Sequence, residues 1–343
     1  MHILITGAAG MIGRKLTARL VKDGALHGRA IEALTLVDVA MRGEPRSGGE
    51  PNPSMIEIQP EPPAGFAGRV ELAADLSAPG EAEKAVAGRP GVIFHLAAIV
   101  SGEAETDFEK GYRINLDGTR ALLEAIRKIG DGYRPQLVFT SSVAAFGAPF
   151  PDAIPDEFHL TPLTSYGTQK AICELLIADY TRRGFLDGVA IRLPTISVRP
   201  GKPNRAASGF FSSIIREPLA GMEAVLPVDE SVRHWHASPR AAVAFLIHAA
   251  DLAPAQLGPR VALTMPGVCC TVGEQIEALA RVAGDKVASR IRREPDPMIA
   301  RIVAGWPRRF DPRRALALGF KAEGSFEDII RIHIQDELGG HVY

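Results

Sequence analysis

Cysteine is scarce: the 343-residue chain has three, Cys173, Cys269 and Cys270. The count is odd, two are adjacent, and no Cys-x-x-Cys or Cys/His spacing occurs. A disulfide frame and a cysteine zinc site are thereby excluded, and the thiols read as reduced in a cytoplasmic protein with no bound metal. No stretch reaches the roughly 18 apolar residues of a membrane-spanning helix. The opening MHILITG has neither a basic segment nor a long apolar run and reads as a strand rather than a secretory signal. An excess of one charge is missing too. Thirty-nine Lys+Arg against 40 Asp+Glu leave −1, so no basic field recruits nucleic acid or an anionic membrane. Internal repeats are absent, and the one biased segment is 43–68, rich in Pro, Gly, Glu and Ser.

What is present is an ordinary globular composition, 46% hydrophobic and 23% charged, in a chain long enough for a large α/β unit and an added lobe. Short apolar runs (Ile3–Thr6, Leu34–Val37, Val70–Leu72, Val92–Leu96, Leu137–Thr140, Val189–Leu193) alternate with helical patterns, the first at 11–23. That alternation predicts a doubly wound parallel sheet with helices on both faces. Residues 43–68 read as a surface excursion with a small hairpin around Met55–Ile58. Past residue 193 the alternation weakens. Helices are expected at Phe210–Arg216, 239–251, Gly273–Ala283 and 325–336, with a strand at Val261–Met265. The expected division is a Rossmann domain of 1–193 plus about 225–255, and a smaller mixed α/β substrate lobe of about 194–224 and 256–343.

The first strand runs into Gly7-Ala-Ala-Gly10-Met11-Ile12-Gly13 and then a helix. Gly7 permits the turn, Gly10 lets backbone approach a pyrophosphate, and Gly13 lets helix pack on strand, with the first-turn N–H groups of Met11 and Ile12 turned to the phosphates. Asp38, at the end of the second strand, suits both ribose hydroxyls and repels a 2′-phosphate. The next residue, Val39, is not an arginine, so NAD is favoured over NADP, with Arg42 the one feature that keeps NADP open. Asp75, with Leu76 beside it, ends the third strand and reads equally as an adenine contact or a helix cap.

Tyr166 and Lys170 stand four apart in a helical stretch and share a face. A phenol brought from about 10 to near 7 needs roughly 4 kcal/mol, which one cation about 4 Å away supplies at an effective dielectric near 20. Lys170 is that cation in this reading, aided by an oxidised nicotinamide. Ser142, ending the fifth strand, places a hydroxyl at the carboxyl edge of the sheet, where ligands of such sheets bind.

Taken in order, TGAAGMIG, Asp38, IFHLAA (93–98), Asn115 in RINLDGT, FTSS (139–142) and SYGTQK (165–170) resemble the extended short-chain dehydrogenase/reductases, also called the NAD-dependent epimerase/dehydratase family. The likeness covers 1–200 strongly and the rest loosely. It implies Ser142, Tyr166 and Lys170 as a catalytic triad, Asn115 supporting the lysine through water, and Leu96, Ala97, Ala98 and Pro194 along the cofactor. It also implies a strand order of 3-2-1-4-5-6-7 and a helix-mediated homodimer. The latter fits the apolar surplus on the helices near 107–129 and 165–183. Val143 and Ala144 stand where dehydratases carry an Asp-Glu pair, and Thr195 where sugar-nucleotide epimerases carry Asn.

RLPTISVRPG (192–201) and VRHWHASPRAA (232–242) resemble a branch that acts on small free sugar acids, the D-erythronate dehydrogenases. That likeness implies NAD-dependent oxidation of the C2 hydroxyl of a short acid. A carboxylate there asks for one bidentate cation. Arg233 is the first candidate and Arg199 the second, with Thr195 beside them and His234, Trp235 and His236 near the pocket. Two alternatives stay open: a nucleoside-diphosphate-sugar 4-epimerase that retains NAD, and a non-catalytic NAD-sensing protein. The latter is disfavoured because Tyr166 and Lys170 are both present.

Overall fold

The structure, a computed structural model, describes residues 1–39, 69–72, 74–201 and 207–343. The hairpin expected at Met55–Ile58, and Arg42, lie outside the described residues. Seven parallel strands form the main sheet: β1 (His2–Thr6), β2 (Ala33–Val37), β3 (Arg69–Leu72), β4 (Val92–His95), β5 (Gln136–Ser142), β6 (Asp187–Leu193) and, after three strands of the lobe, β10 (Ala262–Thr264). Their order is β10-β6-β5-β4-β1-β2-β3, the order expected for the seven. Helices cover both faces, so the strands are apolar almost throughout, and Ile3, Leu4, Ile5, Phe94, Val138 and Ile191 are fully buried.

The chain lays down β1, β2 and β3 in one direction and returns to place β4 on the other side of β1. The crevice at that reversal opens at the carboxyl ends of the strands. Helix α1 (Met11–Asp23) follows β1, burying Leu16, Leu20 and Val21 and ending at Gly24, whose φ of 63° closes it. Helix α2 (Gly118–Ile129) follows a π-helical turn, Tyr112–Asp117, that interrupts the helix expected over 107–129. Helix α3 (Ser165–Arg182) starts where the Thr164 hydroxyl accepts the Gly167 N–H at 3.0 Å, which fixes Tyr166 in its first turn.

The lobe has its own sheet: β7 (Thr195–Ile196) runs parallel to β9 (Arg233–Ala237), which pairs antiparallel with β11 (Val268–Thr271). A second pair joins β8 (Ala224–Leu226) to β12 (Ile291–Arg293). Helices α4 (Phe210–Leu219), α6 (Val272–Ala283) and α7 (Phe326–Glu337) close over Phe211, Ile214, Leu279, Phe326 and Ile330. Helix α5 (Pro239–Ala249) instead packs with α1 against the main sheet through Phe245 and Leu246.

Two elements cross the expected division. β10 belongs to the main sheet, although residues beyond 256 are expected in the lobe. β9 belongs to the lobe sheet, although 225–255 is expected in the Rossmann domain. The reason is that strand partnership depends on register with distant chain (Ala262 opposite Ala190, Thr195 opposite His236), which local pattern does not encode.

Candidate active site

A cleft of about 930 Å³ runs along the carboxyl ends of the strands, from Asp38 and Asp75 at one end to Arg199 and Trp306 at the other. Its first part is backbone. Gly7 has a φ of 71°, and a Cβ on it would lie 2.7 Å from the Ala97 nitrogen, while a Cβ on Gly13 would lie 2.3 Å from the Gly7 carbonyl oxygen. No side chain caps α1, whose N-cap is Gly10, so Met11, Ile12 and Gly13 open the helix toward the cleft with its positive dipole end. Asp38 lines the cleft and its Oδ2 accepts the Ala9 N–H at 3.1 Å. Leu76, Leu96, Ala97, Ala98 and Pro194 form apolar walls. A cradle that a Cβ would fill, an uncapped helix start and a carboxylate one strand over fit a dinucleotide. Asp75 also lines the cleft. It accepts from the Ser77 N–H and hydroxyl at 3.0 and 2.6 Å and pairs with Arg113, and these partners hold its carboxyl below the usual range against the opposing effect of burial.

Ser142, Tyr166 and Lys170 meet midway along the cleft. Ser142 Oγ accepts the Ala144 N–H at 3.1 Å, which leaves its own proton to donate. Lys170, buried, donates from Nζ to the Thr140 carbonyl at 2.8 Å and lies over the rings of Phe139 and Tyr166, 4.6 and 5.7 Å from their centroids. Burial pulls its ammonium down to about 8, against Cys173 and Glu174. The phenol departs from expectation. Burial pushes Tyr166 up to about 12, and the groups opposing this are the Arg199 guanidinium and the Ser142 hydroxyl. Lys170 meets the ring face and gives one of its three protons to the Thr140 carbonyl, and Arg199 is a further cation that bears on the hydroxyl.

Asn115 lies in the π turn. It is buried behind the cleft wall, where Oδ1 accepts the Ile99 N–H at 2.8 Å and Nδ2 donates to Gln169 Oε1 at 2.7 Å. The π turn aims it there, and its side chain holds the strand-end loop and α3 together instead of facing the cofactor groove. Arg233, the first carboxylate candidate, is solvent-exposed on β9 and pairs with Glu274 at 3.5 Å; it is not part of the cleft. Alternation along β9 sends it outward, and its partner comes from α6.

Arg199 does line the cleft. Its guanidinium donates to the Ile196 carbonyl and Ser208 hydroxyl at 3.1 and 2.9 Å and, among the described residues, has no carboxylate partner. Thr195 and His234 line the same end, whereas Trp235 turns away to give its Nε1–H to the Met265 carbonyl and His236 is bonded to Ser197 and Gln275. Sequence reasoning missed Arg216 and Trp306. Arg216, the lone cation in the apolar helix FFSSIIREPL, was a visible signal. It lines the cleft, bonds the Arg199 carbonyl at 2.7 Å and pairs with Glu217 at 2.5 Å. Trp306 arrives from a distant basic segment with no local signal. Among the described residues no group of His, Cys, Asp and Glu is arranged to hold a metal ion.

Comparison with known proteins agrees with this geometry. The profile of the NAD dependent epimerase/dehydratase family matches residues 3–256. The D-erythronate dehydrogenase of Cupriavidus necator is 46% identical over 340 residues, 98% of each chain. That of Haemophilus influenzae is 40% identical over 338 residues, 98% of this chain and 100% of that one. A crystal structure described as the nucleoside-diphosphate-sugar epimerase from Agrobacterium tumefaciens is 63% identical, with a TM-score of 0.91 over 100% of this chain and 96% of that one. The chain therefore belongs to the NAD-dependent epimerase/dehydratase family, and NAD is the dinucleotide that its glycine turn and Asp38 are shaped to hold.

Proposed function

We propose that the protein oxidises the C2 hydroxyl of a small sugar acid, D-erythronate or a close relative, to the 2-oxo acid. The observation that carries this reading is Arg199: a guanidinium with no carboxylate partner among the described residues, lining the cleft close enough to act on Tyr166. A short acid supplies the missing carboxylate and sets its neighbouring carbon toward the phenol. The naming of two near-full-length relatives as D-erythronate dehydrogenases supports it.

In this mechanism NAD, held by the Gly7–Gly13 turn and Asp38, would supply the hydride acceptor for C2. Tyr166, as phenolate, removes the hydroxyl proton, and Ser142 donates to the oxygen as it becomes a carbonyl. Arg199 favours the phenolate against burial and holds the carboxylate. Lys170 and Asn115 act as positioning residues, Lys170 by packing on the Tyr166 ring and Asn115 by fixing Gln169 in the same helix. The acid loses a hydride and a proton and NADH and H⁺ leave, so the step balances.

Purified protein mixed with D-erythronate and NAD should accumulate NADH. Tyr166→Phe should lower kcat by about a thousandfold while NAD still binds by fluorescence titration. Absence of NADH with any four-carbon sugar acid would exclude the reading.

The second reading, a nucleoside-diphosphate-sugar epimerase, is favoured by the description of the Agrobacterium structure. It predicts NAD that copurifies, no net NADH, and interconversion of a UDP-sugar. Against it stands Thr195 in place of Asn.

The same proposal places the enzyme in the cytoplasm, in sugar-acid metabolism, as a homodimer. The three free thiols support a reducing compartment. Leu175 on α3 and Phe108 ahead of α2 are exposed, on the helical region expected to pair, and light scattering tests the dimer. No described helix is long and apolar enough to cross a membrane.

A further inference from the structure

At the substrate end of the cleft, three groups form a chain whose protons follow by elimination. The Pro307 carbonyl can only accept, and it lies 3.0 Å from His234 Nδ1, so Nδ1 carries a proton. His234 is 3% exposed and stacks face to face on Phe211, centroids 5.1 Å apart and planes at 1°, with Trp306 at 5.4 Å. Burial pulls its imidazole down to about 4, and nearby Arg199 lowers it further while the Pro307 carbonyl raises it. The ring is neutral, so Nε2 is a bare acceptor. Thr195 Oγ1 lies 2.7 Å from Nε2, and the threonine gives its only hydroxyl proton there. What Thr195 turns to the cleft is an oxygen able only to accept.

The other polar groups at this end are of opposite character. Arg199 and Arg216 are donors, and two hydroxyls already accept: Ser208 from the Arg199 guanidinium at 2.9 Å and Ser212 from the Arg199 main-chain N–H at 3.0 Å. If Arg199 takes the carboxylate and Ser142 and Tyr166 take the oxygen being oxidised, a remaining substrate hydroxyl needs an acceptor for its proton. We propose that Thr195 is a specificity-determining residue that accepts a hydrogen bond from a substrate hydroxyl on a carbon other than the one oxidised, with His234 the positioning residue that locks it in that role. A hydroxyl at that carbon is bound. An oxo group there faces lone pair against lone pair, and a deoxy carbon leaves the acceptor unpaired. This rests on the sugar-acid reading above and extends it to what the pocket selects beyond the carboxylate.

The test compares D-erythronate with the two four-carbon acids that lack one or the other of its remaining hydroxyls, in wild type, Thr195→Val, Thr195→Ser and His234→Phe. NAD binding is measured in each by fluorescence titration as a check that the fold is kept. Wild type should favour D-erythronate over one of the two deoxy acids by about tenfold in kcat/KM. Thr195→Val should bring that ratio to within about threefold, through a higher KM for the two acids that keep the bound hydroxyl. Thr195→Ser should restore it, and His234→Phe should erode it because the freed hydroxyl proton then points into the cleft. An unchanged ratio in Thr195→Val, or an equal loss on all three acids, overturns the proposal while leaving the dehydrogenase reading in place. A wild type that oxidises none of the three removes both.

Discussion

At the cofactor end of the cleft the phosphate cradle is main chain: Gly7, Gly10 and Gly13 lie so close to neighbouring backbone that a Cβ on Gly7 or Gly13 would overlap it, and the groups it offers are N–H donors of one turn. At the substrate end they are side chains, Arg199, Thr195, His234, Arg216 and Trp306, brought from a strand end, α4, β9 and a loop beyond residue 300. A main-chain cradle is made by contiguous residues and admits one ligand class. A side-chain pocket is assembled from distant segments and changes character with single substitutions. The first end explains what this chain shares with its family, the second what sets its substrate.

The sharpest way to probe the contrast is Gly13→Ala. Its Cβ would fall 2.3 Å from the Gly7 carbonyl oxygen, so the turn must shift. NAD binding should disappear and stability fall by about 3 kcal/mol or more, measured by denaturant melts. A variant that binds NAD normally would refute the main-chain cradle. At the other end, Arg199→Ala should raise KM for the acid about 100-fold, a loss typical of a truncated charge pair, with NAD affinity unchanged. Arg233→Ala, outside the cleft, should stay within about twofold of wild type, since an exposed ion pair contributes little. Equal effects of the two arginine variants would erase the distinction drawn between them.

A weaker, global test uses pH. Burial holds His95 at about 3, His234 and His333 at about 4, and His236 well below its ordinary value. As pH falls below about 6.5, the unfolded chain takes up protons that the native protein refuses, so stability must drop, by up to about 1.4 kcal/mol per pH unit for each group. Thermal melts from neutrality to mild acid should show a falling Tm; a flat or rising profile would mean these rings fold charged.

The same contrast decides what could be read from the residues alone. The glycine turn, Asp38 and the Tyr166/Lys170 pair are short-range patterns, and the structure brings all of them to one cleft. Arg233 misled because its direction depends on strand alternation and its partner Glu274 lies in another element. The bonds of Asn115 to Ile99 and Gln169 were not legible, because the π turn that carries it leaves no mark in helical periodicity. The electrostatics of Tyr166 were half legible: spacing revealed Lys170, but the burial that raises the phenol and the approach of Arg199 arise only from the tertiary fold. Arg216 was signalled as the lone cation of an apolar helix, whereas Trp306 reaches the site from so far along the chain that no local signal announces its role.

The short strand Ala262–Thr264 carries one more consequence. By pairing with Ala190–Arg192 it seals the flank of the main sheet with chain that has already passed through the smaller lobe. The two lobes are therefore not detachable modules. A truncation after Leu193 would uncover an apolar edge, with Val189, Ala190 and Ile191 fully buried in the intact protein, and such an edge invites intermolecular pairing and aggregation.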